Sequence, residues 1–248
     1  MPAVRAPPRF RGTEGAGTIP AVPVLARAWI AAARARRRLA RRRHGPPPRE
    51  ELVRRFAPGA TFADVGAMWG VDGAIAFAAE EAGARAVTAV DVMAPTERYA
   101  AEHARRSSAV RFVRGDLHDP ATVEEVGVHD VVWCSGLLYH APHPLLSLER
   151  LRALTATTLL LATESLPEVP GLRGACVFYP GADRRPFAEP GRVGLDAPFD
   201  PGPGYENWWW GITGSALRGM LAASGFEVVE VHDDALHLTV VARPQVPF

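Results

Sequence analysis

Phe62-Ala63-Asp64-Val65-Gly66-Ala67-Met68-Trp69-Gly70-Val71-Asp72-Gly73 decides the fold of this chain. A β-rich run, Thr61 to Val65, breaks into glycines, and an alanine-rich helical pattern follows from Ala74 to Glu81. A strand, a glycine turn and a helix form a cradle for a nucleotide-type ligand. Glycines let the backbone approach closely, and the start of the helix presents free N–H groups. A plain tight turn also carries Gly-x-x-x-Gly, so the sequel matters. The next strand, Ala86 to Val90, ends in Asp91, where a ribose-binding carboxylate belongs. A third strand, Val110 to Val113, leads into Gly115-Asp116-Leu117. The three strand ends would lie together at the carboxyl edge of one parallel sheet.

The rhythm continues outward in both directions. Glu50 to Phe56 reads as a short helix before the first strand, Thr96 to Arg106 as a helix, and Asp119 to Glu125 as another. Asp130-Val131-Val132-Trp133-Cys134 is a fourth strand, Pro142 to Leu154 a helix with leucines at helical spacing, and Thr157 to Thr163 a fifth strand. Alternating strands and helices of these lengths imply an α/β, doubly wound, mostly parallel sheet. Residues 166–211 break the pattern with recurrent prolines and glycines, yet their aromatic content argues against disorder. We read them as a cap insertion ending in Asn207-Trp208-Trp209-Trp210. Thr213 then caps an amphipathic helix running to Ser224, and Phe226 to Val231 and Leu236 to Ala242 are closing strands.

Composition bounds the rest. At 248 residues with 48% hydrophobic content, one large domain with an appendage is expected. No run of about eighteen apolar residues is present, so no transmembrane helix and no stable membrane association are expected. Cys134 and Cys176 offer neither a disulfide framework nor a metal spacing, which fits a reduced, cytoplasmic setting. No metal site is expected, since His140 and His143 lack acidic or cysteine partners at ligand spacing. All 28 basic residues are arginine, and the net charge of +1 hides an asymmetry. Residues 1–55 hold 14 arginines against three acids, whereas the remainder is acidic by ten charges. Residues 1–49 divide into a Pro/Gly/Arg-rich leader and a basic helical arm, Val24 to Arg43, ended by Gly45-Pro46-Pro47-Pro48. That arm has three readings: a helix packed over the ligand mouth, a nucleic-acid surface, or a membrane-surface or targeting helix. Residues 50–248 form the main domain.

A dinucleotide dehydrogenase is disfavoured, because the third glycine of Gly-x-Gly-x-x-Gly is not matched at the required spacing. The chain instead resembles the class I S-adenosylmethionine-dependent methyltransferases, which implies a Rossmann-like sheet of seven strands and S-adenosylmethionine as cofactor. Their acid-x-Gly motif, lying by the methionine part of the cofactor, falls on Asp64, Gly66, Ala67 and Gly70 here. The ribose acid is Asp91, followed by Val92, and the adenine-binding pair is Asp116 with the Leu117 backbone. Met68 stands where the usual motif has its middle glycine. Ser135-Gly136-Leu137-Leu138-Tyr139-His140-Ala141-Pro142-His143-Pro144-Leu145 resembles the methyltransferases of tRNA wobble uridines and their bacterial relatives, and adds Ser135 and Tyr139 to the cofactor set. The resemblance covers roughly residues 50–242.

Methyl transfer needs the acceptor held in line and, if protonated, relieved of its proton. His140 and His143 are the candidate bases, because histidine titrates near neutral pH. Glu164, ending the fifth strand, is a candidate to orient an acceptor amine or hydroxyl. Each has a structural alternative: His143 precedes a proline as helix-start residues do, and an acid at a strand end often caps a backbone turn. The expected acceptor is a small molecule of specialised metabolism. The alternatives are a tRNA, suggested by the arginine-rich arm and opposed by the acidic body, and a non-catalytic binding protein, suggested by Met68.

Overall fold

The computed structural model describes residues 49–168, 171–178, 210–233 and 237–245. The leader, the basic arm and most of the cap, including Trp208 and Trp209, lie outside the described residues.

Helix α1 (Arg49–Phe56) precedes β1 (Thr61–Val65), α2 (Ala74–Glu81), β2 (Ala86–Asp91), α3 (Glu97–Arg106) and β3 (Arg111–Arg114). Then follow α4 (Pro120–Val126), β4 (His129–Ser135), α5 (Pro144–Leu154) and β5 (Thr155–Glu164). The last third holds β6 (Cys176–Phe178), β7 (Trp210–Ile212), α6 (Gly214–Ala223), β8 (Phe226–Asp233) and β9 (His237–Pro244). Seven strands form one sheet in the order β3-β2-β1-β4-β5-β9-β8. Strands β1 to β5 pair in parallel, while β9 runs antiparallel to both β5 and β8. The doubly wound seven-stranded expectation therefore holds. The order reverses direction between β1 and β4, which opens a crevice at the carboxyl edge where such sheets bind ligands.

Alternation along β1 shows how the sequence builds the layers. Phe62 faces one core with Leu52, Val53, Ala76, Phe77 and Tyr99 of α1, α2 and α3, whereas Ala63 and Val65 face the other, with leucines of α5 and α6. Strands buried on both faces read as continuous apolar runs, which is why β4 and β5 were legible. Helix starts follow side-chain chemistry. The Thr96 hydroxyl accepts from Tyr99 N, the Asp119 carboxylate from Ala121 N ahead of Pro120, and the Thr213 hydroxyl from Ala216 N. The cap segment, expected to be aperiodic, contributes two short strands: β6 and β7 pair antiparallel, Cys176 opposite Ile212 and Phe178 opposite Trp210.

Candidate active site

The turn after β1 is held from below. Gly66 N and Ala67 N both donate to Val90 O, at 2.9 and 3.2 Å, and Gly73 N donates to Ala67 O at 2.7 Å. Gly66 has a φ of +82°, and a Cβ added there would sit 2.7 Å from Ser135 O. No other residue type fits that position without moving β4. Gly70, also left-handed at φ +65°, faces open space. The turn thus packs its first glycine against β4 and leaves its last one facing outward.

Asp91 closes the turn. Its Oδ2 accepts from Met68 N and its Oδ1 from Met93 N, both at 2.8 Å. The carboxyl is 6% exposed. Burial pushes its pKa up, and the backbone N–H donors pull it back. Each oxygen keeps a second lone pair, so the carboxylate can brace the turn and still accept from a ligand hydroxyl. Val92 is half-buried, and its carbonyl accepts from Arg114 Nε at 3.3 Å.

Met68 is the departure from the glycine pattern, and its side chain is 0% exposed within the core that also holds Phe62, Phe77 and Tyr99. Its backbone is outside the left-handed region, so a Cβ costs nothing there. The side chain turns down into the core, and only the backbone N–H serves the turn. The neighbouring Trp69 is 54% exposed. Asp64 lies beneath the turn, not on its surface. Its Oδ2 accepts from Ala76 N at 3.1 Å in the first turn of α2, it is 1% exposed, and its other oxygen has no partner among the described residues. Burial pushes its pKa up to about 7, opposed by the Ala76 N–H and aided by Asp91.

At the end of β3, Asp116 is exposed and its Oδ1 accepts from His118 N at 2.8 Å, while the Leu117 side chain is buried in the core. His118 was not singled out from the sequence. Its Nε2 lies 2.7 Å from Ser147 Oγ of α5, and burial lowers its pKa. The expected base His143 stands beside it, with ring centroids 5.9 Å apart, as the residue capping α5. The structure therefore places His143 with the β3 loop.

On the other side of the switch point, Ser135 ends β4 and supplies the carbonyl that restricts Gly66. Tyr139 and His140 follow, their rings 4.5 Å apart. Trp210 N donates to Tyr139 O at 2.7 Å, so the β6–β7 ribbon docks directly on this loop. The Tyr139 phenol is buried and its pKa is pushed up, first by burial and then by the charge of Glu164, with Arg49 opposing. Glu164 ends β5 opposite His237 of β9. Arg49 Nη2, at the start of α1, lies 3.3 Å from His237 Nε2. Tyr139, His140 and Glu164 are thus brought to one side, joined by Arg49 and His237, which carried no local signal.

These turns lie together at the carboxyl edge on the β1–β3 side of the switch point. Residues 64–157 match the family model described as a methyltransferase domain. Over that stretch, which holds the glycine turn, Asp91, Asp116 and the loop after β4, the chain is similar to methyltransferase domains. No curated protein matches it significantly. Among solved structures, it is similar to the Burkholderia thailandensis 1,6-didemethyltoxoflavin-N1-methyltransferase solved with 1,6-didemethyltoxoflavin and S-adenosylhomocysteine. That match has 20% identity and a TM-score of 0.56, over 90% of this chain and 88% of that one. The N-terminal domain of EvdMO1, solved with S-adenosylhomocysteine, is similar at 18% identity and a TM-score of 0.57, over 80% and 81% of the two chains. The [4+2]-cyclase SpnF also shares this fold, at 16% identity and a TM-score of 0.54 over 80% of each chain. Likeness at these identities shows the fold, and a cyclase among them shows that fold does not set chemistry.

No group of three or more metal-binding side chains occurs among the described residues. Cys134 is buried and Cys176 exposed, both unpaired. No helix of the described residues is long and apolar enough to cross a membrane.

Proposed function

We propose that the chain transfers a methyl group to a compact organic acceptor of specialised metabolism. The observation that carries this reading is the bond from Trp210 N to Tyr139 O, which lays the β6–β7 ribbon against the loop that follows β4. A ribbon docked there narrows the acceptor side to molecules smaller than a folded nucleic acid, and residues 166–211 act as the cap. A similar structure that holds 1,6-didemethyltoxoflavin supports an acceptor of that size.

The residues fit the cofactor. The backbone of Gly66, Ala67 and Gly70 would face the methionine part, Asp91 and Val92 the ribose, Asp116 and Leu117 the adenine, and Ser135 and Tyr139 the region between. Asp64 would act through the turn it supports. When bound, S-adenosylmethionine supplies a methyl group on a sulfonium sulfur, already electrophilic. The chain then has only to hold the acceptor in line and take its proton. His140, packed on the Tyr139 ring, is the base of this proposal, and Glu164 orients the acceptor. His143, seated by His118, serves the shape of the β3 side.

The test is incubation with S-adenosylmethionine and pooled small acceptors, followed by mass spectrometry. Products heavier by one methylene, lost in His140→Ala with S-adenosylhomocysteine binding intact, are expected. Full turnover by the variant would remove His140 from the mechanism. The arginine-rich arm supports a second reading, tRNA as acceptor. That reading requires tRNA affinity that falls steeply with salt and is lost on deleting residues 1–45.

A further inference from the structure

The turn after β1 is pinned at both ends. At its start, Gly66 N and Ala67 N donate to Val90 O of β2. At its end, Gly73 N donates to Ala67 O. There the Asp72 carboxylate also accepts from Thr96 Oγ1 at 2.7 Å and pairs with Arg98 at 3.5 Å, which ties the turn to the start of α3. Four residues, Met68 to Val71, span the interval. Trp69 is exposed, Gly70 faces open space and Val71 is half-buried. Met68 is the one of the four whose side chain is buried, in the cluster that holds Phe62 of β1 and the stacked rings of Phe77 and Tyr99 from α2 and α3. A flexible thioether suits the irregular space among side chains of three different elements.

Position 68 is also where the turn meets Asp91. The Met68 N–H donates to Asp91 Oδ2 and the Met93 N–H to Oδ1, both at 2.8 Å, so each carboxylate oxygen is met by a backbone donor. Met93 lies two residues beyond Asp91 at the same strand end and travels with it. Met68 follows the other strand, and its N–H sets the carboxylate against the glycine turn. The buried side chain and that N–H belong to one residue, so the packing of the first aims the second. A glycine at this position would keep the N–H but release it, because it ranges widely in φ and ψ and has no side chain to hold in the core. Nothing in the backbone calls for glycine here, since Met68 lies outside the left-handed region.

We propose that Met68 is a positioning residue for the ribose of the cofactor, acting through Asp91, so that putting the usual glycine back at this place weakens binding. This rests on the cofactor reading of the same turn, and the two fail separately. S-adenosylhomocysteine, adenosine and 2′,3′-dideoxyadenosine are each titrated calorimetrically into the full chain and its variants. The unaltered chain is expected to prefer adenosine to the dideoxy compound by about tenfold or more, as a hydroxyl bonded to a carboxylate requires. Met68→Gly should weaken S-adenosylhomocysteine by about tenfold and bring the adenosine preference down to that of Asp91→Ala. Met68→Leu, close in volume, should keep both within about threefold. Leu52→Ala truncates the same core cluster from α1, and it should lower the melting temperature yet keep the adenosine preference. If Met68→Gly shows no cooperative melt, Met68→Ala takes its place, with the same losses in smaller measure. Undiminished S-adenosylhomocysteine binding by the Gly or Ala variant, or weakened binding with the adenosine preference intact, overturns the proposal. So does an equal loss of that preference in Leu52→Ala, or an unaltered chain that binds S-adenosylhomocysteine but shows no preference for adenosine. Absence of S-adenosylhomocysteine binding to the unaltered chain would instead overturn the cofactor reading, and this proposal with it.

Discussion

On the β1–β3 side the carboxyl edge is held by main chain, with Gly66 N and Ala67 N on Val90 O and two backbone N–H groups on the Asp91 carboxylate. On the β4–β5–β9 side it is held by side chains drawn from distant parts of the chain, Arg49 meeting His237 across 188 residues. On the first side backbone N–H groups of the turn find their partners within it, while on the second the side chains of Arg49 and Trp210 keep buried donors unmatched among the described residues. A cofactor shared by many enzymes can be served by backbone geometry that tolerates sequence drift. An acceptor peculiar to one enzyme needs side chains, and unmatched ones, since specificity comes from buried groups only the right ligand completes.

The largest effect that would sharpen this contrast is expected at Gly66. Gly66→Ala forces a Cβ to 2.7 Å from Ser135 O at a φ of +82°. The left-handed backbone alone costs about 1–2 kcal/mol, and the clash displaces β4 or the turn. S-adenosylhomocysteine binding should be lost and the melting temperature lowered. Gly70→Ala adds a Cβ that meets nothing within 4 Å. It should carry only the backbone penalty and keep binding within about tenfold of the original. Equal binding by both variants would break the claim that backbone packing builds the cofactor side.

Asp91→Ala comes next. It strands the N–H groups of Met68 and Met93, each bond to a charged acceptor contributing about 1.5–3 kcal/mol. Loss of one such bond to a ligand hydroxyl lowers S-adenosylhomocysteine affinity roughly 10–100-fold, and calorimetry reads it directly. Glu164→Gln, on the acceptor side, should leave that affinity unchanged while turnover drops. If Glu164→Gln weakens the cofactor as Asp91→Ala does, the two sides are not separable.

The same contrast decides what could be read from sequence. The glycine turn, Asp91 and the apolar runs of β4 and β5 are local signals, because a strand end and a left-handed turn select residue types over a few positions. Thr213 as the cap of α6 belongs with them. Met68 shows the limit of a local motif: it departs from the usual glycine, but its side chain points into the core. The direction of a side chain leaving a turn is set by packing from α2 and α3, which no local spacing encodes. His143 looked equivalent to His140, yet three residues of turn carry it to His118. Arg49 and His237 had no signal at all, because they meet only after the sheet closes through β9. The ribbon formed by β6 and β7 was hidden for the same reason, its two strands lying 31 residues apart between Phe178 and Trp210.

The smallest effect concerns a buried carboxylate oxygen on the cofactor side. Asp64 keeps an oxygen without a partner in a neighbourhood where Tyr99 OH and Trp133 Nε1 are also buried and unpartnered, and its pKa is pushed up to about 7. In the unfolded chain an aspartate titrates near about 3.9. Between those values the native state holds a proton that the unfolded state releases, so stability falls as pH rises from about 4 to 7. The slope from this group reaches at most about 1.4 kcal/mol per pH unit and vanishes above its folded pKa. Asp64→Asn keeps an oxygen for Ala76 N and removes the titration. Urea unfolding across that range should show the variant gaining on the original chain as pH rises, then running parallel above neutrality. Parallel curves throughout would mean that Asp64 is ionised in the native state and matched by its surroundings. The Asp64 carboxylate would then be stabilised by its surroundings as the Asp91 carboxylate is, and the contrast with the acceptor side would sharpen.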